Sequence, residues 1–134
     1  MSIYTFNKQE KLKSKKLIES VFTKGKSFLV FPVKVMYLVV DEPLDFPIKI
    51  GVTASSRNFK KAVDRNRIKR ILREQYRLHK LPLHEFTNEH QIQIAVFFMF
   101  IDKAVPPTSL VKKKMPLIIE KLIKSLDETI ATNA

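Results

Sequence analysis

The residues best equipped for chemistry in this chain lie between Arg57 and Lys80, and the chemistry they offer is the binding of phosphates. Ten Lys or Arg occur there (Arg57, Lys60, Lys61, Arg65, Arg67, Lys69, Arg70, Arg73, Arg77, Lys80) against Asp64 and Glu74, supplying +8 of the formal net charge of +12. Residues 1–26 add seven Lys against two Glu, or +5, and the remainder, eight Lys against nine acids, comes to −1. Charge focused on two segments is an electrostatic footprint for nucleic acid, whereas solubility alone is served by interspersed signs. Arg is used as heavily as Lys here, and its planar fork engages a phosphate through two bonds at once.

Other chemistries lack their residues. His79, His84 and His90 form no His-Glu-x-x-His pattern, and without cysteine there is neither a zinc-thiolate site nor a thiol nucleophile. Gly25 and Gly51 are the only glycines, which excludes a P-loop, a dinucleotide fingerprint and a nucleophile elbow. Asp41, Glu42 and Asp45 sit among prolines and read as a solvated turn, not a metal site. Asp64 and Glu74 are expected to pair with neighbouring bases along their own helix. The chain reads as a binder with no catalytic residues and no metal or cofactor of its own.

Length and composition suit a single domain over 1–134, with 45% hydrophobic residues. The absence of cysteine agrees with a reducing cytoplasm. No signal-like apolar region opens the chain and no segment approaches the ~18–20 apolar residues that span a bilayer, so a cytoplasmic protein without membrane association is expected. Neither a heptad seam nor a dimer seam is visible, which argues against a DNA-binding basic helix.

The elements that must position the basic residues follow from periodicity. On a helix, Asn66, Lys69, Arg70, Arg73, Arg77 and Lys80 share one side, while Ile68, Ile71, Leu72, Gln75 and His79 share the other, with Tyr76 and Leu78 at the margins. A helix is expected over Ser14–Lys24, capped by Ser14 and closed by Gly25 as a C′ glycine, its stripe Leu17, Ile18, Val21, Phe22 facing a core. Strands are expected at Val33–Val40 after a short edge piece ending near Pro32, at Ile48–Ala54 with Gly51 marking a close approach, and at Gln91–Ile101. Residues 83–90 read as a loop, and residues 1–13 as an extended, poorly ordered lead-in. A last helix starts from Thr108 or Ser109, with Pro116 marking either a kink or the true start. The class is α+β in the order αβββαβα, one sheet with helices mostly on one side.

The run Ala62 to Glu74, AVDRNRIKRILRE, resembles without a gap the Ala-Val-x-Arg-Asn-Arg-x-Lys-Arg-x-x-Arg-Glu hallmark of the bacterial ribonuclease P protein component. Lys11-Leu12-Lys13, Val21-Phe22, Lys24-Gly25-Lys26-Ser27 and Ile50-Gly51-Val52 extend the resemblance. It implies an α/β sandwich with a left-handed strand-helix-strand crossover, like the second domain of ribosomal protein S five. It implies the accessory subunit of a ribonucleoprotein that removes the 5′ leader of precursor tRNA, with catalysis and Mg2+ in the RNA subunit. Carried over residue by residue, Arg65, Asn66, Arg67, Lys69, Arg70 and Arg73, with Lys60, Lys61 and Arg77 beside them, would contact the ribonuclease P RNA. Phe22, Ile18, Arg57 and either Met36 or Tyr37 would line a cleft for the leader, which moves the helix stripe partly from core to binding surface. Ile18 stands where many members carry an aromatic, and a one-residue register shift decides between Met36 and Tyr37. No oligomer is expected when RNA is bound. The alternative is a non-enzymatic structured-RNA binder, such as a ribosomal or assembly factor.

Either RNA reading predicts binding that weakens steeply with salt. Arg70→Ala should lower the slope of log affinity against log salt by about one and weaken binding broadly, as measured by filter binding over a salt series. A slope near zero in the native chain would contradict the electrostatic account.

Overall fold

The computed structural model describes residues 8–41 and 43–133. A single 3₁₀ turn, Lys8–Glu10, leads into α1 (Lys15–Lys24), β1 (Lys26–Val30), β2 (Val33–Val40), β3 (Ile48–Ala54), α2 (Ala62–His79), α3 (Leu81–His90), β4 (Gln93–Phe100) and α4 (Thr108–Asn133). The four strands form one sheet in the order β1-β2-β4-β3. β4 pairs antiparallel with β2 and parallel with β3, so α2 and α3 make the crossover between two parallel neighbours.

Alternation along the strands sorts side chains onto two faces. Val33, Val35 and Tyr37 of β2, Ile48, Ile50 and Ala54 of β3, and Ile94, Val96, Phe98 and Phe100 of β4 form the large core with α2 and α4. Helix α2 contributes Ile68, Ile71, Leu72 and Tyr76; α4 contributes Val111, Met115, Ile118, Ile119, Leu122 and Leu126. On the opposite face, α1 presses Val21 onto Met36 and Ala95, flanked by Leu17, Ile18, Phe97 and Met99.

Local chemistry explains the element ends. Ser14 Oγ accepts from the Leu17 N–H at 3.3 Å and caps α1. Gly25 follows α1 with φ −73° and ψ 164°, an extended conformation, so it is not the left-handed C′ glycine expected. Its reason is space, because a Cβ there would lie 2.3 Å from the Val21 carbonyl oxygen and 2.7 Å from that of Tyr37. Residues 83–90, expected as a loop, belong to helix α3: Pro82 falls in its first turn, where a missing N–H costs nothing, and Leu83 and Thr87 are buried one turn apart. Helix α4 runs through Pro116 without restarting. Pro116 is on the exposed side, between buried Met115 and Ile118, so the carbonyl it leaves unpaired can turn to water.

The described part of the lead-in is held in place. Lys11 bridges Ile50 in parallel, the Leu12 N–H donates to the Ile50 carbonyl at 2.9 Å, and the outer edge of β3 is thereby partly covered. Glu10 is fully buried and receives the Lys80 ammonium at 2.6 Å, with His84 Nε2 at 3.4 Å from the same carboxylate oxygen and 3.3 Å from the Tyr76 hydroxyl. Residues 1–7 of the lead-in lie outside the described residues.

Burial, and secondarily the Lys80 ammonium, hold the His84 imidazole below its usual 6.5, against the opposing pull of Glu10. Folding therefore favours neutral His84, and its contribution is complete above pH 6.5 and lost as pH falls below it. The urea midpoint of the native chain should drop from pH 6.5 downward, and His84→Gln should flatten the first part of that drop. An identical pH profile in the variant would count against the assignment.

Candidate nucleic-acid interface

Two surfaces meet near one end of the sheet. The first is the basic helix. After β3 the chain turns through Ser55–Lys61, pinned by the Arg57 N–H to Ser55 Oγ (3.1 Å), the Phe59 N–H to the Ser55 carbonyl (2.9 Å) and Asn58 Nδ2 to the Ile101 carbonyl (3.5 Å). The buried Phe59 ring stacks at 5.9 Å from Phe100, anchoring the turn in the core. Arg57, Lys60 and Lys61 are left exposed on this fixed turn, directly before α2.

Along α2, Asn66, Arg67 and Arg70 are exposed, and Lys69, Arg73 and Arg77 are half-buried. Lys80, placed on the stripe by its spacing, is instead buried against Glu10 and belongs to the fold. Arg65 is partly structural as well: its Nη1 donates to the Phe59 carbonyl at 2.6 Å and the Lys60 carbonyl at 3.0 Å, closing the turn onto the helix. These two bonds engage Nη1 and not the Nε–H or Nη2–H donors. No ion pair joins Asp64 or Glu74 to a neighbouring base among the described residues, contrary to the pairing expected along the helix. Asp64 and Glu74 accordingly do not neutralise the exposed Arg67 and Arg70.

The second surface is the half of the sheet that α1 leaves bare. Helix α1 starts beside Ile50, through the Lys11 bridge, and ends at Gly25 beside Tyr37; Ile50, Val96 and Tyr37 are register partners across β3, β4 and β2. The ten-residue helix thus crosses the strands at one level. Beyond it, toward the end from which α2 departs, lie the same-face rows Ser27–Met36–Phe97–Gly51 and Leu29–Lys34–Met99–Thr53. The α1 flank above these rows carries Ile18 and Phe22.

Phe22 is 46% exposed, and its ring centroid lies 5.2 Å from that of Phe97. Phe97 lies across β3 because Gly51 opposite it has no side chain: a Cβ at Gly51 would stand 2.5 Å from the Phe97 ring. Gly51, read from sequence as a point of close approach, receives an aromatic ring. Leu29, half-exposed, and Lys34, exposed, complete the open floor.

The two candidates on β2 now separate. Met36 is on the α1 face, whereas Tyr37 is buried in the large core with its ring 6.1 Å from Phe28, so Tyr37 cannot line this cleft. Arg57 is exposed in the turn beyond β3, at the open end. The sequence does not single out Phe97 because it falls within an unbroken apolar run, residues 94–101, in which alternation does not show. Among the described residues no group of three His, Asp or Glu side chains is placed to hold a metal ion, and Asp45 of the acidic turn pairs with Lys49 at 2.6 Å. Among the described residues no helix is long and apolar enough to cross a membrane.

The family model described as Ribonuclease P matches residues 6–101, a span that includes the cleft helix, the whole of β3 and the basic stripe. The chain belongs to this family. The ribonuclease P protein component of Porphyromonas gingivalis is 34% identical over 112 residues, covering 84% of this chain and 82% of that protein. The fold is that of the Staphylococcus aureus RNase P protein, with a TM-score of 0.66 at 19% identity over 86% of this chain and 96% of that one. The Thermotoga maritima RNase P protein aligns with a TM-score of 0.61 at 18% identity, over 84% and 96%. Family membership and shared fold agree with the motif at Ala62–Glu74.

Gly51→Ala should displace the Phe97 ring and cost about 1–3 kcal/mol of stability through overpacking. Loss of the Phe22–Phe97 ring contact, read from aromatic nuclear Overhauser effects, is the expected signature. An unchanged contact would show that Gly51 does not set the floor.

Proposed function

We propose that this chain is the protein subunit of ribonuclease P, binding the catalytic RNA through α2 and the preceding turn and the 5′ leader of precursor tRNA in the cleft between α1 and the open sheet. The observation that carries this reading is the pairing of two unlike surfaces near one end of the sheet. A one-signed stripe with exposed Arg67 and Arg70 suits a structured phosphate backbone. A neighbouring floor of Phe22, Phe97 and Leu29 over the buried Met36, with Lys34 among them, suits unpaired nucleotides whose bases stack without sequence preference.

On this proposal the labour is divided. The protein offers binding and orientation; the RNA subunit, with its Mg2+, supplies the chemistry of leader removal. Held near each other, the two surfaces would draw the leader toward the RNA subunit and lower the Mg2+ concentration at which it cleaves, because the protein's charge offsets phosphate repulsion that Mg2+ otherwise has to screen.

Precursor tRNA cleavage by a bacterial ribonuclease P RNA at low Mg2+ and fixed ionic strength should be restored by the chain and not by Arg70→Ala/Arg73→Ala. Phe22→Ala should weaken binding of leader-bearing tRNA by about 1–3 kcal/mol, leaving mature tRNA binding and the salt slope nearly unchanged. Binding that ignores the leader, together with cleavage that ignores the chain, would favour a general structured-RNA binder.

A further inference from the structure

Below α1, on the flank away from Phe22, lies a second groove. Its open cavity of about 550 Å3 is bordered by the lead-in, α1, the end of β2, Asp41, Leu44, Asp45, and Lys49 at the start of β3. Lys16, Ser20 and Lys24 recur four apart and line the α1 side, while Leu17, Leu38 and Leu44 lend apolar surface. Lys11 and Lys13 come from the lead-in. The resemblance and the leader cleft leave this groove without a role.

We propose that this groove is a second binding site for single-stranded RNA, holding a few nucleotides by their phosphates. Charge is the first argument. Among the described lining residues five lysines face two aspartates, and since Lys49 is paired with Asp45 at 2.6 Å, the four lysines Lys11, Lys13, Lys16 and Lys24 face Asp41. Shape is the second. Lys16 and Lys24 are separated by two turns, about 12 Å along the helix axis, so the row addresses an extended chain of repeated charges and not one isolated anion. The lining is the third: apolar surface between the ammonium groups accommodates the faces of unstacked bases, and without an aromatic ring it holds them weakly and without sequence preference. Lysines act as point charges on flexible stems, which tolerates a strand that slides.

The site does not depend on the leader cleft, which is on the other flank of α1, and the two are separable by their methyl groups. A short oligouridylate titrated into the full chain, followed by methyl NMR, should shift the Leu17, Leu38 and Leu44 methyls saturably, and separately that of Met99 in the cleft. Lys16→Glu/Lys24→Glu should abolish the leucine shifts and leave the Met99 shift, and Phe22→Ala should do the reverse; both variants alter exposed side chains. The proposal is overturned if only Met99 responds in the native chain, or if the leucine shifts survive the double variant. It is equally overturned if inorganic phosphate at matched ionic strength, or an oligoglutamate of equal charge, moves the same methyls at the same or lower concentration.

Discussion

The constraint on which the structure depends is the two-sidedness of β4. This strand is interior to the sheet, antiparallel to β2 and parallel to β3, and its alternation sends Ile94, Val96, Phe98 and Phe100 to one face and Ala95, Phe97 and Met99 to the other. The first face is sealed by two long helices. Among the described residues, the second is covered by the ten residues of α1 and by Leu12 of the lead-in, too little to shield a four-stranded sheet. An aromatic-lined half-face is therefore left open by the architecture itself, and a Phe at 97 paired with a Gly at 51 converts that exposure into a shaped floor. On a chain with net charge +12, repulsion opposes self-association through apolar surface of this kind, and the charge favours a negatively charged partner.

A buried ion pair ties the second surface to the first. Glu10 and Lys80, seventy positions apart, meet inside the protein, joining the lead-in before α1 to the junction of α2 and α3. Such a pair contributes little net stability relative to an apolar substitute, but removing one partner leaves a buried charge and costs about 3–5 kcal/mol. Its effect here is positional: the start of α1 on one face of the sheet is fixed relative to the end of the basic helix on the other. Arg65 does the same at the opposite end of α2, where its guanidinium holds the Phe59 and Lys60 carbonyls.

Much of this was legible in the sequence, for physical reasons particular to each element. The bounds of β2 and β3 follow from β-branched runs closed by prolines and serines, and the buried side of α2 follows from its 3.6-residue period. The basic stripe was readable because charge must be on the outside; what periodicity could not show is that Lys80, on that stripe, turns inward to a carboxylate far away in the chain. Helix α3 is not legible because a proline at position 82 can follow the end of one helix or open the next equally well. Tyr37 and Met36 could not be told apart without register, since one residue of slip exchanges the faces. Phe97 was hidden in an apolar run whose alternation only the pairing with Gly51 reveals. The Glu10 cluster, assembled from residues of three elements, left no local trace.

The central claim is that the two surfaces hold different RNAs at the same time. It is tested most directly by placing a photoreactive benzophenone side chain at position 22 or at position 67 and irradiating the assembled ribonucleoprotein with labelled precursor tRNA bound. The account predicts that position 22 crosslinks to the 5′ leader and position 67 to the ribonuclease P RNA, each with little of the other. Crosslinks from both positions to the same RNA would contradict it.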